Sequence, residues 1–279
     1  MSSKPIGAEF KLKTPIFINK EQDNHIPLIR NAALVESVKL EENPEIKPKV
    51  DYITNDRNAK ATTAILELEK STISTSTIIK ILSAGLLGLN KNRKLVPTRW
   101  SITAVDDTLS KEKLKKIRYN QEISDFQVFT SEYLGNHYEF LLLPDKFSFE
   151  VIEINQNNLE LTWHDYESFL GRKNYASSVT GAYYSNRLAL TEYLEKQNRQ
   201  ASCLVFREIN PQVYTQSMGV GILREISRKA FSNLPEKFSS LKEALEKIGS
   251  RIKLPIQAFT SKSILLKNFG KQTRLEKWF

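Results

Sequence analysis

Phe126-Gln127-Val128-Phe129-Thr130-Ser131-Glu132-Tyr133-Leu134-Gly135-Asn136-His137-Tyr138-Glu139-Phe140-Leu141-Leu142-Leu143 is the stretch that decides the fold class. Two runs rich in aromatic and aliphatic side chains are separated only by Gly135-Asn136-His137. That reads as a β-hairpin, because glycine and asparagine accept the backbone angles a tight reversal needs. Phe147 to Ile154 and Leu159 to Trp163 repeat the arrangement around Asn155-Gln156-Asn157-Asn158. Residues 202–209 add a buried strand, so the sheet is expected to be mostly antiparallel.

Helical spacing surrounds these strands. Ala61, Ala64, Ile65 and Leu68 recur on one side of a polar segment. Ser74-Thr75-Ser76 offers a cap for a second helix through Ile78, Ile79, Ile81 and Leu82, ended by Gly85 and Gly88. Further helices are expected at about Ser177 to Gln197, Val220 to Ala230, Leu241 to Ile248 and Ile256 to Leu266. Arg99 to Val105 reads as a strand, with Asp106-Asp107 capping a Lys-rich helix behind it. The sum is an α+β fold: a mostly antiparallel sheet with helices packed on its faces. Three regions are expected: an extended N-terminal arm over 1–40, a body over 41–268, and a flexible tail over 269–279.

The composition narrows the function classes. The 279 residues are 40% hydrophobic, enough for a sizeable core. Lys and Arg number 41 against 32 Asp and Glu, a net charge of +9, which favours a polyanionic partner. Basic residues gather in Lys91-Asn92-Arg93-Lys94, Lys111 to Arg118 and Arg224 to Lys229; each is either a solvated face or a phosphate contact. The one cysteine, Cys203, sits in an apolar run and is expected to be buried and inert. A disulfide framework and a cysteine-based zinc site within this chain are excluded, and the cofactor is left unknown. His25, His137 and His164 show no ligand spacing. Without a signal-peptide core or an apolar run long enough for a bilayer, the expected setting is cytoplasmic and nucleoid-associated, with no membrane partner.

The last eight residues, Gln272-Thr273-Arg274-Leu275-Glu276-Lys277-Trp278-Phe279, read Gln-x-x-Leu-x-x-Trp-Phe. In one tight helical turn Leu275, Trp278 and Phe279 project to one side as an apolar plug, with the Gln272 amide at its edge. The pattern resembles a PCNA-interacting peptide (PIP motif), which implies the PCNA sliding clamp as a partner. The bland alternative is a terminal helix packing two aromatics on its own core.

Several blocks resemble the archaeal Nre family of DNA repair proteins. They are Leu82-Ser83-Ala84-Gly85-Leu86-Leu87-Gly88; Leu95 through Thr108 (Leu-Val-Pro-Thr-Arg-Trp-Ser-Ile-Thr-Ala-Val-Asp-Asp-Thr); Ser131 to Asn136; Asp165-Tyr166-Glu167 with Gly171-Arg172 and Tyr175-Ala176; Gly181-Ala182-Tyr183-Tyr184 with Arg187; and Arg207-Glu208-Ile209. The resemblance covers roughly residues 40–279 and implies DNA-damage repair and clamp binding. Family members usually begin with a further segment bearing a four-cysteine zinc motif, and this chain carries neither that length nor those cysteines.

The polar residues leave the chemistry open. Asp106 and Asp107 either cap a helix or hold a divalent metal. Trp100 is either core or a stacking platform for an unpaired base. Asp165, Glu167 and Arg172 fall in a polar stretch between strand and helix, as binding residues or as a local ion pair. Arg207-Glu208 ends an apolar strand, where charges need partners or a cleft mouth. Arg224-Glu225 reads as an exposed pair. Arg99, Arg172, Arg187 and Arg207 together can grip phosphates, since guanidinium groups fork onto their oxygens. The leading expectation is a clamp-docked repair factor that binds DNA through basic surface. The alternatives are a metal-dependent DNA- or nucleotide-processing enzyme recruited by the clamp, and a non-catalytic repair adaptor.

Overall fold

The computed structural model describes residues 6–14 and 34–271. The chain forms two compact units, divided between Leu95 and Val96. In the first, β1 (Ala8–Leu12) pairs antiparallel with β2 (Val35–Leu40). Three helices follow: α1 (Pro48–Asn55), α2 (Ala61–Lys70) and α3 (Thr75–Ser83). They bury Ala64, Ile65 and Leu68 against Ile78, Ile79, Ile81 and Leu82, the residues that helical spacing marks. The Ser74 side chain accepts from the Thr77 backbone N–H, the cap read from the sequence.

The second unit opens with α4 (Thr98–Ile117). It continues with strands β3 (Phe126–Tyr133), β4 (Asn136–Leu143), β5 (Ser148–Asn155) and β6 (Asn158–Glu167). Helix α5 (Gly181–Gln197), β7 (Ser202–Ile209), α6 (Val220–Ser232) and β8 (Glu236–Phe238) follow. The described chain closes with α7 (Leu241–Gly249), α8 (Gln257–Thr260) and α9 (Ile264–Asn268). The six strands form one sheet in the order β6-β5-β7-β4-β3-β8. All neighbours are antiparallel except β5 and β7, which run parallel because α5 carries the chain across one face between β6 and β7.

Strand alternation gives the sheet two apolar faces. One, with Phe129, Phe140, Phe149, Val151 and Val205, packs against α4, α5 and α6. The other, with Val128, Leu141, Ile152, Leu204 and Phe206, packs against α7, α8 and α9. Polar groups fix both layers. The Ser131 hydroxyl donates to the Ile226 carbonyl at 3.0 Å, pinning α6 to β3. Glu150, fully buried, accepts from the backbone N–H of Ile264 at 2.7 Å and of Leu265 at 3.0 Å, anchoring the start of α9 to β5.

Four expectations need correction. Residues 99–105 are not a strand; they belong to α4, and Asp106 and Asp107 lie inside that helix rather than at its cap. Trp100, Ile102, Thr103 and Val105 have β propensity, but tertiary contact overrides it. Ile256 to Leu266 splits into α8 and α9, because the Ser263 hydroxyl accepts from the Leu266 N–H and starts a new helix. The helix expected from Ser177 begins at Gly181. Asp165 and Glu167 are strand residues of β6, not loop residues. Cys203 is fully buried, and burial pushes its thiol well above the usual range. No helix of the described residues is long and apolar enough to cross a membrane.

Candidate functional site

Alternation along β6 sends Trp163, Asp165 and Glu167 to the face beneath α5. From α5, Arg187 reaches down to meet them, with its side chain only 2% exposed. Its Nη1 donates to Glu167 Oε2 at 2.8 Å, its Nη2 donates to Asp107, and its Nε donates to Ser110 Oγ at 3.2 Å. The rings of Tyr183 and Tyr184 lie 5.6 and 5.3 Å from the guanidinium carbon. Burial works against this charge, but Glu167 and Asp107 outweigh it, so the Arg187 pKa lies above the usual range. One side chain thus ties α4, α5 and β6 together.

Asp106 serves a different partner. Successive helix positions turn by about 100°, so adjacent carboxylates face different neighbours. Asp107 meets Arg187 and Lys111, whereas Asp106 accepts from Arg224 Nη1 of α6 at 2.8 Å. Arg224 is therefore buried rather than exposed, although its Nε also donates to the exposed Glu225 at 3.2 Å. Asp106 is itself fully buried, and its second oxygen, Oδ2, has no hydrogen-bond partner. Burial, partly offset by Arg224, raises its pKa from 3.8 to about 6.

That shift gives a prediction with a definite sign. The folded protein holds the Asp106 proton at pH values where the unfolded chain releases it. The resulting stabilisation is fully present below the unfolded pKa of 3.8 and lost as pH rises through about 6. Relative to Asp106→Asn, wild-type stability should fall by about 2 kcal/mol between pH 4 and pH 7. Urea melts of both proteins across that range test it; parallel curves would show that Asp106 ionises normally.

Asp165 organises the entry to α5. Its Oδ1 accepts from Arg172 Nη2 at 2.8 Å, and its Oδ2 accepts from the backbone N–H of Ser178 at 3.0 Å and Val179 at 2.7 Å. The loop it holds ends at Thr180, with φ 58° and ψ −126°. That backbone region is normally left to glycine, and a β-branched residue persists there only when its surroundings impose it.

Beyond this loop a cleft of about 320 Å³ opens over the sheet. Its floor is a cross-strand row. Trp163, Glu153 and Arg207 stand opposite one another on β6, β5 and β7, and the row continues beyond the cleft to the buried Tyr138 on β4. Arg207 Nη1 donates to Glu153 Oε1 at 2.7 Å, while its Nε and Nη2 donate to Asn136 Oδ1 at 3.1 and 2.6 Å. Its guanidinium carbon lies 5.5 Å from the Tyr138 ring. Burial opposes the Arg207 charge, Glu153 more than restores it, and the pKa lies above the usual range.

The candidate residues therefore divide. Asp107, Glu167 and Arg187 form one buried network, with Asp165 and Arg172 beside it. Arg207 belongs to the cleft. Glu208 points to the opposite face, where it accepts from the backbone N–H of Lys253 at 3.0 Å and Leu254 at 2.6 Å. Arg99 is exposed on the first turn of α4, with its guanidinium carbon 5.8 Å from the Trp100 ring. Trp100 is 48% exposed and lies 5.9 Å from Tyr175, so it is a surface aromatic rather than core. Within the described residues no group of His, Cys, Asp and Glu is arranged to hold a metal ion. Glu153, Trp163 and Thr180 were not singled out in the sequence. A charged residue next to the end of the apolar run Phe149 to Ile154, which also carries Glu150, was the one signal available for Glu153. Gln272, Leu275, Trp278 and Phe279 lie outside the described residues.

Comparison with known proteins places these features in context. The family described as Archaeal Nre, N-terminal matches residues 1–161, and Archaeal Nre, C-terminal matches residues 167–278. The junction falls inside β6, so the single six-stranded sheet is built from both segments. DNA repair protein NreA of Archaeoglobus fulgidus is 37% identical over 89% of this chain and 64% of its own length. DNA repair protein NreB of the same organism is 34% identical over 98% of this chain and 70% of its own length. DNA repair protein NreA of Haloferax volcanii is 31% identical, over 83% and 57% respectively. The chain thus spans 57–70% of the length of these relatives. No solved structure matches it.

Proposed function

Because the chain belongs to the archaeal Nre family, we propose that it is a DNA repair factor that docks on the PCNA sliding clamp and holds DNA through its basic surface. The names of its relatives support the repair role. The clamp assignment is carried by Gln272-x-x-Leu275-x-x-Trp278-Phe279. At this spacing one helical turn would align the three apolar side chains with an amide at their edge, which suits a shallow apolar pocket with a polar rim. Calorimetry of clamp with full chain and tail-deleted chain tests this part of the proposal.

The DNA part draws on the net charge of +9. Much of the basic residues' charge already meets carboxylates within the body. Lys111 pairs with Asp107, Lys113 with Glu195, Lys115 with Glu112, and Arg228 with Glu192. Exposed Lys94, Arg99, Lys116 and Lys229 are better placed to meet phosphates. Contacts of this kind read no sequence and release counterions. Affinity for duplex or branched DNA should therefore fall steeply with salt, by about one decade per decade of salt for each phosphate neutralised. Fluorescence anisotropy across a salt series checks this. A flat response, or no binding at low salt, would favour a protein-binding adaptor instead.

A further inference from the structure

We propose that the cleft above Glu153 and Arg207 binds one nucleotide, with its base inside and its phosphate at the mouth. This rests on the DNA repair reading. At about 320 Å³ the cleft lies at the lower end of the range for small-ligand sites, roughly 300–1,000 Å³. Trp163, Val179 and Met218 supply flat and apolar wall, as a stacked base requires. The floor supplies the edge recognition. Glu153 is 5% exposed and lines the cleft, and Arg207 engages only its Oε1. Its Oε2 remains as an acceptor for an N–H of a base, and carboxylates are suited to exocyclic amino groups. Asn136 Oδ1 holds the Arg207 guanidinium, and Arg207 in turn holds that carboxylate through Oε1, so its orientation is set before any ligand arrives.

The mouth has the opposite polarity. We place it where the N-termini of α5 and α6 abut: Thr180, Ala182 and Val220 line the cleft, and a Cβ on Gly181 would stand 2.7 Å from Val220 Cγ2. Neither helix has a side-chain cap. Their first-turn N–H groups and aligned dipoles favour an anion beside a floor whose own charges are paired. Asp165 holds the approach to α5 in place through Ser178 and Val179, and the unusual backbone of Thr180 lies on the cleft wall. A nucleotide matches the arrangement end for end. It can be a free nucleotide or one swung out of a DNA strand, and enzymes that act on bases routinely extrude them.

The test uses the full chain. Calorimetry with dAMP, dCMP, dGMP and dTMP should show binding, strongest for the amino-bearing bases. A duplex carrying 2-aminopurine at a mismatch should brighten on binding if the source is an extruded nucleotide. Trp163→Leu should weaken binding about tenfold or more. Glu153→Gln should keep the Arg207 hydrogen bond but erase the preference for amino-bearing bases. If Trp163→Leu lowers the melting temperature, Met218→Trp, which adds bulk to the cleft wall, should block binding in its place. Binding unaffected by all three substitutions, or absent for both mononucleotides and the mismatch duplex, overturns the proposal. DNA binding without 2-aminopurine brightening or mononucleotide binding also overturns it, while leaving the repair reading standing. Mononucleotide binding without DNA binding upholds the cleft and removes the DNA part of that reading.

Discussion

Arg187→Ala should lower the stability of the protein by about 3–5 kcal/mol, the range for removing one partner from a buried ionic network. The cause is what the substitution leaves behind. Glu167, 2% exposed, loses its ion-pair partner and keeps a carboxylate beneath α5, and Asp107 keeps only Lys111. Ser110 also loses the Nε contact that joins α4 to α5. Arg187→Lys should recover little, because one ammonium cannot span carboxylates on two different elements as a planar fork does. Arg187→Met combined with Glu167→Gln and Asp107→Asn should recover much of the loss, since a volume-matched neutral set removes the stranded charges. Urea denaturation of the four proteins at pH 7 measures this. A loss below about 1 kcal/mol for Arg187→Ala would mean that water reaches the network and screens it.

The second large effect concerns the tail. Trp278→Ala with Phe279→Ala should reduce clamp affinity more than a hundredfold. Burying Leu275, Trp278 and Phe279 is worth roughly 5–8 kcal/mol gross, and ordering the segment takes back roughly 2–5 kcal/mol. The balance is at most about 6 kcal/mol, and hydrogen bonds from the flanking backbone add to it to give a contact of about micromolar strength, which cannot survive loss of both aromatics. Gln272→Ala should cost less, about 0.5–1.5 kcal/mol, as a rim hydrogen bond. The fold should be indifferent to the loss of residues 272–279. Phe269 packs on the α7–α9 side of the core, 5.8 Å from the Phe126 ring, and Gly270, with φ 73°, follows as the C-terminal turn of α9. Deletion from Asn268 onward should destabilise the body, because it removes Phe269. Calorimetry with the clamp, beside thermal melts, separates the two roles. Unchanged clamp binding after deletion of 272–279 would remove the tail assignment, and a large drop in melting temperature would show that the aromatics belong to the core.

The sequence by itself determined the elements whose apolar pattern is regular. The hairpin around Gly135-Asn136 was legible from alternation and turn chemistry, as was the cap at Ser74 from its position before an apolar run. The tail offers only a sequence pattern, Gln-x-x-Leu-x-x-Trp-Phe, whose reading rests on spacing within one helical turn and which lies outside the described residues. Tertiary structure decided α4. Its buried face carries Ser101, Asp106 and Ser110 among Val105, Leu109 and Leu114, so it shows no clean apolar stripe. Asp106 and Ser110 are buried with partners, Arg224 and Arg187, that arrive from helices 118 and 77 positions away. Likewise, a sequence marks Arg207-Glu208 as one charged pair, but strand alternation sends the first to the cleft and the second to the opposite face. Local patterns record what a segment buries against an average apolar core. They cannot record which distant charge makes burial of a carboxylate tolerable, because that depends on strand order and on which helices share a face.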